Sequence, residues 1–117
     1  MSDDRIPLRF AVVGAAPPWA TAQEAVLIEE PAAVAFTLAP GVAVMRFGAA
    51  GAVHPAGCAC CLGRGAAAAA LGVLFQARAR GEVAWFTAVV AVVADAAAVT
   101  AEVQGDRVAA ARFRVVA

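Results

Sequence analysis

The chain has 117 residues, which suits one small domain with a single modest core. Nine basic and nine acidic residues cancel, so no long-range field draws nucleic acid or an acidic membrane surface. Hydrophobic residues make up 63% of the chain, yet much of this is alanine, and the longest strongly apolar stretch, Val83 to Ala94, is broken by Thr87 and closed by Asp95.

A bilayer-spanning helix needs roughly 20 continuous apolar residues, more than that stretch supplies. Ala66 to Gln76 is shorter still and runs into Arg78 and Arg80. The opening Met1-Ser2-Asp3-Asp4-Arg5 is polar and lacks the shape of a signal peptide. These features predict a soluble, cytoplasmic single domain over residues 1–117, with neither nucleic-acid nor membrane partners.

In chain order, Ile6 to Val13 reads as a strand and Gly14-Ala15-Ala16-Pro17-Pro18 as a loop. Thr21-Ala22-Gln23-Glu24 matches a capping box and predicts a short helix to about Ile28, stopped by Pro31. Val34, Phe36 and Leu38 alternate as in a half-buried strand, and Val42 to Phe47 repeats the pattern after a Pro40-Gly41 turn, which suggests a hairpin. Ala66 to Arg80 is the clearest helix, with Leu71, Leu74 and Phe75 as its apolar stripe and Gly81 as its C-terminal stop. Thr87 to Val93 has the length and composition of a strand buried on both faces. Asp95 suits the N-cap of a helix to about Gln104, and Arg112 to Val116 reads as a last short strand or an unpaired tail. The alternation predicts an α/β fold, a small, partly parallel sheet with flanking helices.

All three cysteines fall within four positions, in Gly57-Cys58-Ala59-Cys60-Cys61. Crowding of this kind makes a poor disulfide framework and favours metal or thiol chemistry in a reducing compartment. Thiolates are soft donors for zinc or copper(I), and zinc usually takes four ligands in a tetrahedron. Cys58 and Cys60 can aim the same way across one alanine, and nearby glycines permit the turn that brings in Cys61. His54, four positions before Cys58, is the candidate fourth ligand, with Asp95, water or a client group as alternatives. A helix starting near Ala66 and the neighbouring Arg64 would both favour the thiolate form. The rival is redox sensing through a Cys58–Cys60 bridge, although Cys-x-Cys-Cys is not the Cys-x-x-Cys of thioredoxin-like chemistry.

The run Gly57-Cys58-Ala59-Cys60-Cys61 with Arg64-Gly65 resembles the signature of the CobW-type metallochaperone GTPases, which carry a Cys-x-Cys-Cys metal site in a P-loop domain. The segments Gln76 to Val83, Phe86 to Val90, Ala94-Asp95 and Val108 to Arg114 are similar too, as is Arg5-Ile6-Pro7 at the start. The resemblance covers most of this chain and implies the front half of a P-loop GTPase domain.

The nucleotide machinery of that family is not matched. A P-loop reads Gly-x-x-x-x-Gly-Lys-Ser/Thr, so that backbone N–H groups and a lysine hold the phosphates. Here the place is taken by Gly14-Ala15-Ala16-Pro17-Pro18-Trp19-Ala20-Thr21, where only Gly14 and Thr21 fit and two prolines remove N–H donors. Met45-Arg46-Phe47-Gly48 replaces the family's Asn-Glu-Phe-Gly, no acidic switch element follows the strand at Val89, and the chain contains neither asparagine nor lysine for guanine recognition. The expectation is a non-hydrolytic protein that binds no nucleotide and holds zinc or another soft ion at Cys58, Cys60, Cys61 and His54 for sequestration, sensing or transfer. The alternatives are a thiol redox module, or an interaction remnant whose cysteines are idle. Loss of half a GTPase domain would leave a sheet edge open near Thr87 to Val93, to be covered by a homodimer or a protein partner.

Overall fold

The computed structural model describes residues 4–11, 23–30, 41–48 and 65–116. Among these, five strands form one sheet: β1 (Ile6–Phe10), β2 (Glu24–Glu30), β3 (Val44–Gly48), β4 (Ala88–Val92) and β5 (Phe113–Val115). Their order across the sheet is β3-β2-β4-β1-β5, and every pair is parallel. Three helices, α1 (Ala66–Ala79), α2 (Ala96–Gly105) and α3 (Arg107–Arg112), complete the α/β architecture. The sheet is therefore wholly parallel in its described strands, where only partial parallelism was expected.

β2 and β4 are apolar on both faces along their centres, as parallel strands covered on two sides should be, whereas β1 is apolar on one face and carries the half-exposed Arg9 on the other. On one face Ile6, Leu8, Ala25, Leu27, Val89 and Ala91 pack with Leu71 and Leu74 of α1, Val99 and Val103 of α2, and Ala109 of α3. Val26, Ile28, Val90 and Val92 form a second buried cluster on the opposite face. Leu8, Leu27, Val89 and Val90 are completely inaccessible, which places the core along β1, β4 and β2.

Thr21 to Ile28 was expected to be a helix, but the described part of it belongs to strand β2. Ala25-Val26-Leu27-Ile28 is buried at every position, a pattern a strand between two covered faces needs and an amphipathic helix does not. Glu24 serves as an ion-pair partner: Arg9 Nε donates to its Oε2 at 3.0 Å. The sheet edge expected near Thr87 to Val93 is not found there. That segment is β4, hydrogen-bonded to β1 on one side and β2 on the other. Among the described strands β3 and β5 form the edges.

The predicted arm at Val34 to Leu38 lies outside the described residues, as do Gly14 to Thr21; β3 itself runs parallel to β2, in register from Val26↔Val44 to Glu30↔Gly48. The helix ends match the sequence reading more closely. Gly81 has φ +74°, the left-handed conformation favoured where a helix stops. Asp95 accepts from the Ala98 N–H at 3.0 Å and caps α2. The last strand exists and pairs with β1, from Ile6↔Phe113 to Leu8↔Val115. Pro7 sits inside β1 without breaking the sheet, because the ladder to β4 begins only at Leu8.

Candidate metal site

Cys58, Cys60, Cys61 and His54 all lie outside the described residues, as does Arg64. Their segment is bracketed by described residues at both ends. Gly48 closes β3, and Gly65 is the N-cap of α1. α1 leads back to the beginning of β4, where Arg78 Nε donates to the Phe86 carbonyl at 2.8 Å. The cysteine segment thus joins the carboxyl end of a parallel strand to the start of the helix that follows it. In open parallel α/β sheets this edge is where ligands bind.

The topological switch lies between β1 and β4, and β2 stands between that point and β3. From β1 the chain crosses to β2, and from β4 it crosses the other way to β5. Such a point opens a crevice between neighbouring strands. The carboxylates described nearby serve the backbone: Glu29 accepts from the Ala94 N–H at 2.8 Å, and Asp95 caps α2. Asp95 was a candidate fourth ligand, and its role in the described structure is that of a helix cap. Among the described residues no group of three or more His, Cys, Asp or Glu side chains converges as metal ligands would.

The start of α1 differs from the sequence reading in its electrostatics. Gly65 provides no side-chain cap, and the first turn carries no acidic residue. Glu102, from α2, fills that role: its Oε2 accepts from the Ala68 N–H at 2.7 Å. The positive end of the α1 dipole, expected to act on the thiols, therefore already faces a carboxylate. A Cβ on Gly65 would overlap the Glu102 side chain. Gly65 has φ −72° and ψ 160°, which any residue adopts, so glycine is needed there for room alone.

No family model, curated protein or solved structure matches the chain.

Glu102 was missed in the sequence because its partner lies 34 positions away. One signal was present: a clear helix that starts after glycine, with neither Ser, Thr, Asp nor Asn at its cap nor an acid in its first turn, must be capped from elsewhere. At the opposite edge of the sheet, Arg78 stacks over Trp85 at 3.5 Å from the ring centroid, and Trp85 is 62% exposed. Desolvation lowers the pKa of Arg78 below the ordinary arginine value. The packing contact there belongs to the C-terminal turn of α1 and is remote in sequence from the cysteines.

Proposed function

We propose that this chain is a non-hydrolytic metal-binding protein that holds zinc, or another soft ion, through Cys58, Cys60 and Cys61, with His54 as fourth ligand. The observation that carries this reading is three thiols within four positions, in a segment running from the carboxyl end of β3 to the start of α1. Soft donors at this density suit zinc or copper(I). The family resemblance, to the CobW-type metallochaperone GTPases, supports the same reading. Absence of lysine, and two prolines where a phosphate loop needs N–H groups, support a protein without nucleotide chemistry. The role is sequestration, sensing or transfer of the ion in a reducing cytoplasm.

Elemental analysis of the purified chain tests this directly. About one zinc per chain is expected from a four-ligand site, with loss of the metal in Cys60→Ser. Folded wild-type protein that stays metal-free in excess zinc would refute it. Zinc loading should also release protons, because ligating thiols must deprotonate. A calorimetric titration with guanosine triphosphate should give no binding heat.

A second reading concerns partners. Strand β3 has no described strand beyond it, and Val44 on it is 36% exposed. Among the described strands this edge is unpaired, an arrangement that favours pairing with a second copy of the chain. Light scattering is expected to give a dimer mass, and a monomer at high concentration removes the reading.

A further inference from the structure

We propose that the amino edge of the sheet is a docking site for an acidic segment of a partner protein, built on Arg78 and Trp85 and extended by Arg112 and Phe75. The site is independent of the metal-binding reading, and every residue in it lies within the described structure.

The strand register brings these residues to one edge. Leu8 of β1 is level with Val89 of β4 and with Val115 of β5, so Arg5, Phe86 and Arg112 precede that level by equal steps. α1 reaches the same edge with its last turns, where Phe75 and Arg78 are neighbours one turn apart. Arg78 lies 3.5 Å from the ring centroid of Trp85 and 5.2 Å from that of Phe86, and its Nε donates to the Phe86 carbonyl at 2.8 Å. Arg112 lies 4.2 Å over the ring of Phe75. Stacking fixes the plane of a guanidinium and leaves its N–H edge to meet a planar anion in two parallel hydrogen bonds.

These cations lack an acid. Glu24 is taken by Arg9, while Glu29, Asp95, Glu102 and Asp106 accept from backbone N–H groups. Asp4 and Glu82, the acids nearest this edge in sequence, are exposed. Among the described residues neither Arg78 nor Arg112 meets a carboxylate. Arg78 is also partly desolvated, so its charge gains from a partner more than a fully hydrated one would. Trp85 stays 62% exposed, although tryptophan is on average among the well-buried residues. Tryptophan and arginine dominate binding energy at protein interfaces, where a ring and a fork together take an apolar side chain and its neighbouring carboxylate. A nucleic acid fits less well, because the chain has zero net charge and phosphate-backbone binding is driven by clustered excess cations.

A rhodamine-labelled peptide of alternating glutamate and leucine tests the site by fluorescence anisotropy with the whole chain. Saturable binding is expected, weakened about tenfold in Arg78→Gln and in Trp85→Ala, and about threefold in Arg112→Gln. Trp85 is mostly in solvent, so its alanine variant keeps the fold and serves if Arg78→Gln does not. Arg80→Gln removes the same charge from an exposed, unstacked neighbour and should stay within about twofold of wild type. The same peptide with glutamine in place of glutamate should not bind.

Absence of saturable binding to wild type overturns the site. So does equal binding of the glutamine peptide, or a loss in Arg80→Gln as large as in Arg78→Gln, which would mean bare charge attraction. Tighter binding of oligothymidylate than of the acidic peptide would overturn the choice of a protein partner.

Discussion

Gly65 and Glu102 show how one contact sets the identity of two distant residues. Gly65 has an ordinary backbone conformation and is restricted by the carboxylate against it. Gly65→Ala should destabilise the fold by about 1–3 kcal/mol in urea titrations, the usual cost of inserting a methyl group into occupied space. The same substitution in a Glu102→Ala background should cost clearly less, because the obstructing side chain is gone. Equal costs in the two backgrounds would mean that the two residues do not interact. The ion pair between Arg9 and Glu24, at 2.9 Å with side chains 40% and 15% exposed, should matter less. Its coupling energy in a double-mutant cycle is expected below about 1 kcal/mol, since solvent screens it.

At the scale of elements, the outcome depended on whether the deciding signal was local. α1, α2 and β4 were legible because their information lies within a few residues. For α1 it is the 71–74–75 stripe and Gly81, for α2 the Asp95 cap, and for β4 an unbroken apolar run. β2 was misread because Thr21-x-x-Glu24 is a good local helix signal and burial on two faces is a tertiary fact. α3 was missed, although Gly105-Asp106 marked the break. Asp106 accepts from both Val108 and Ala109 N–H, at 3.0 and 2.9 Å. Asp106→Ala should therefore cost about 0.5–2 kcal/mol in thermal or urea unfolding, as lost N-caps do. The edge position assigned to β4 failed for a related reason. The apolar run already implied a strand covered on both sides, and the family resemblance drew the boundary elsewhere. Of the candidate site, the cysteine spacing was legible, whereas the Glu102 cap on α1 was not, since it acts across the fold.

For the whole molecule, the governing feature is that the sheet is assembled from distant parts of the chain. Ile6 pairs with Phe113, and Phe113 packs edge-on against Phe75 of α1 at 6.2 Å between ring centroids. Phe113 is 1% exposed, so Phe113→Ala should cost about 3–5 kcal/mol, read as a lower urea midpoint. Marginal domains hold only about 5–15 kcal/mol in total, so this single change takes a large share. Among the described residues no helix is long and apolar enough to cross a membrane.

The strand order has a consequence for how the protein is made. Of the described strands β1 is made first, yet both of its neighbours, β4 and β5, follow only from Ala88 onward. At translation rates of about 5–20 residues per second, an apolar strand waits several seconds without a mate. Nascent chains stalled before residue 88 should thus bind nascent-chain chaperones, and release should follow once Ala88 to Val92 clears the exit tunnel.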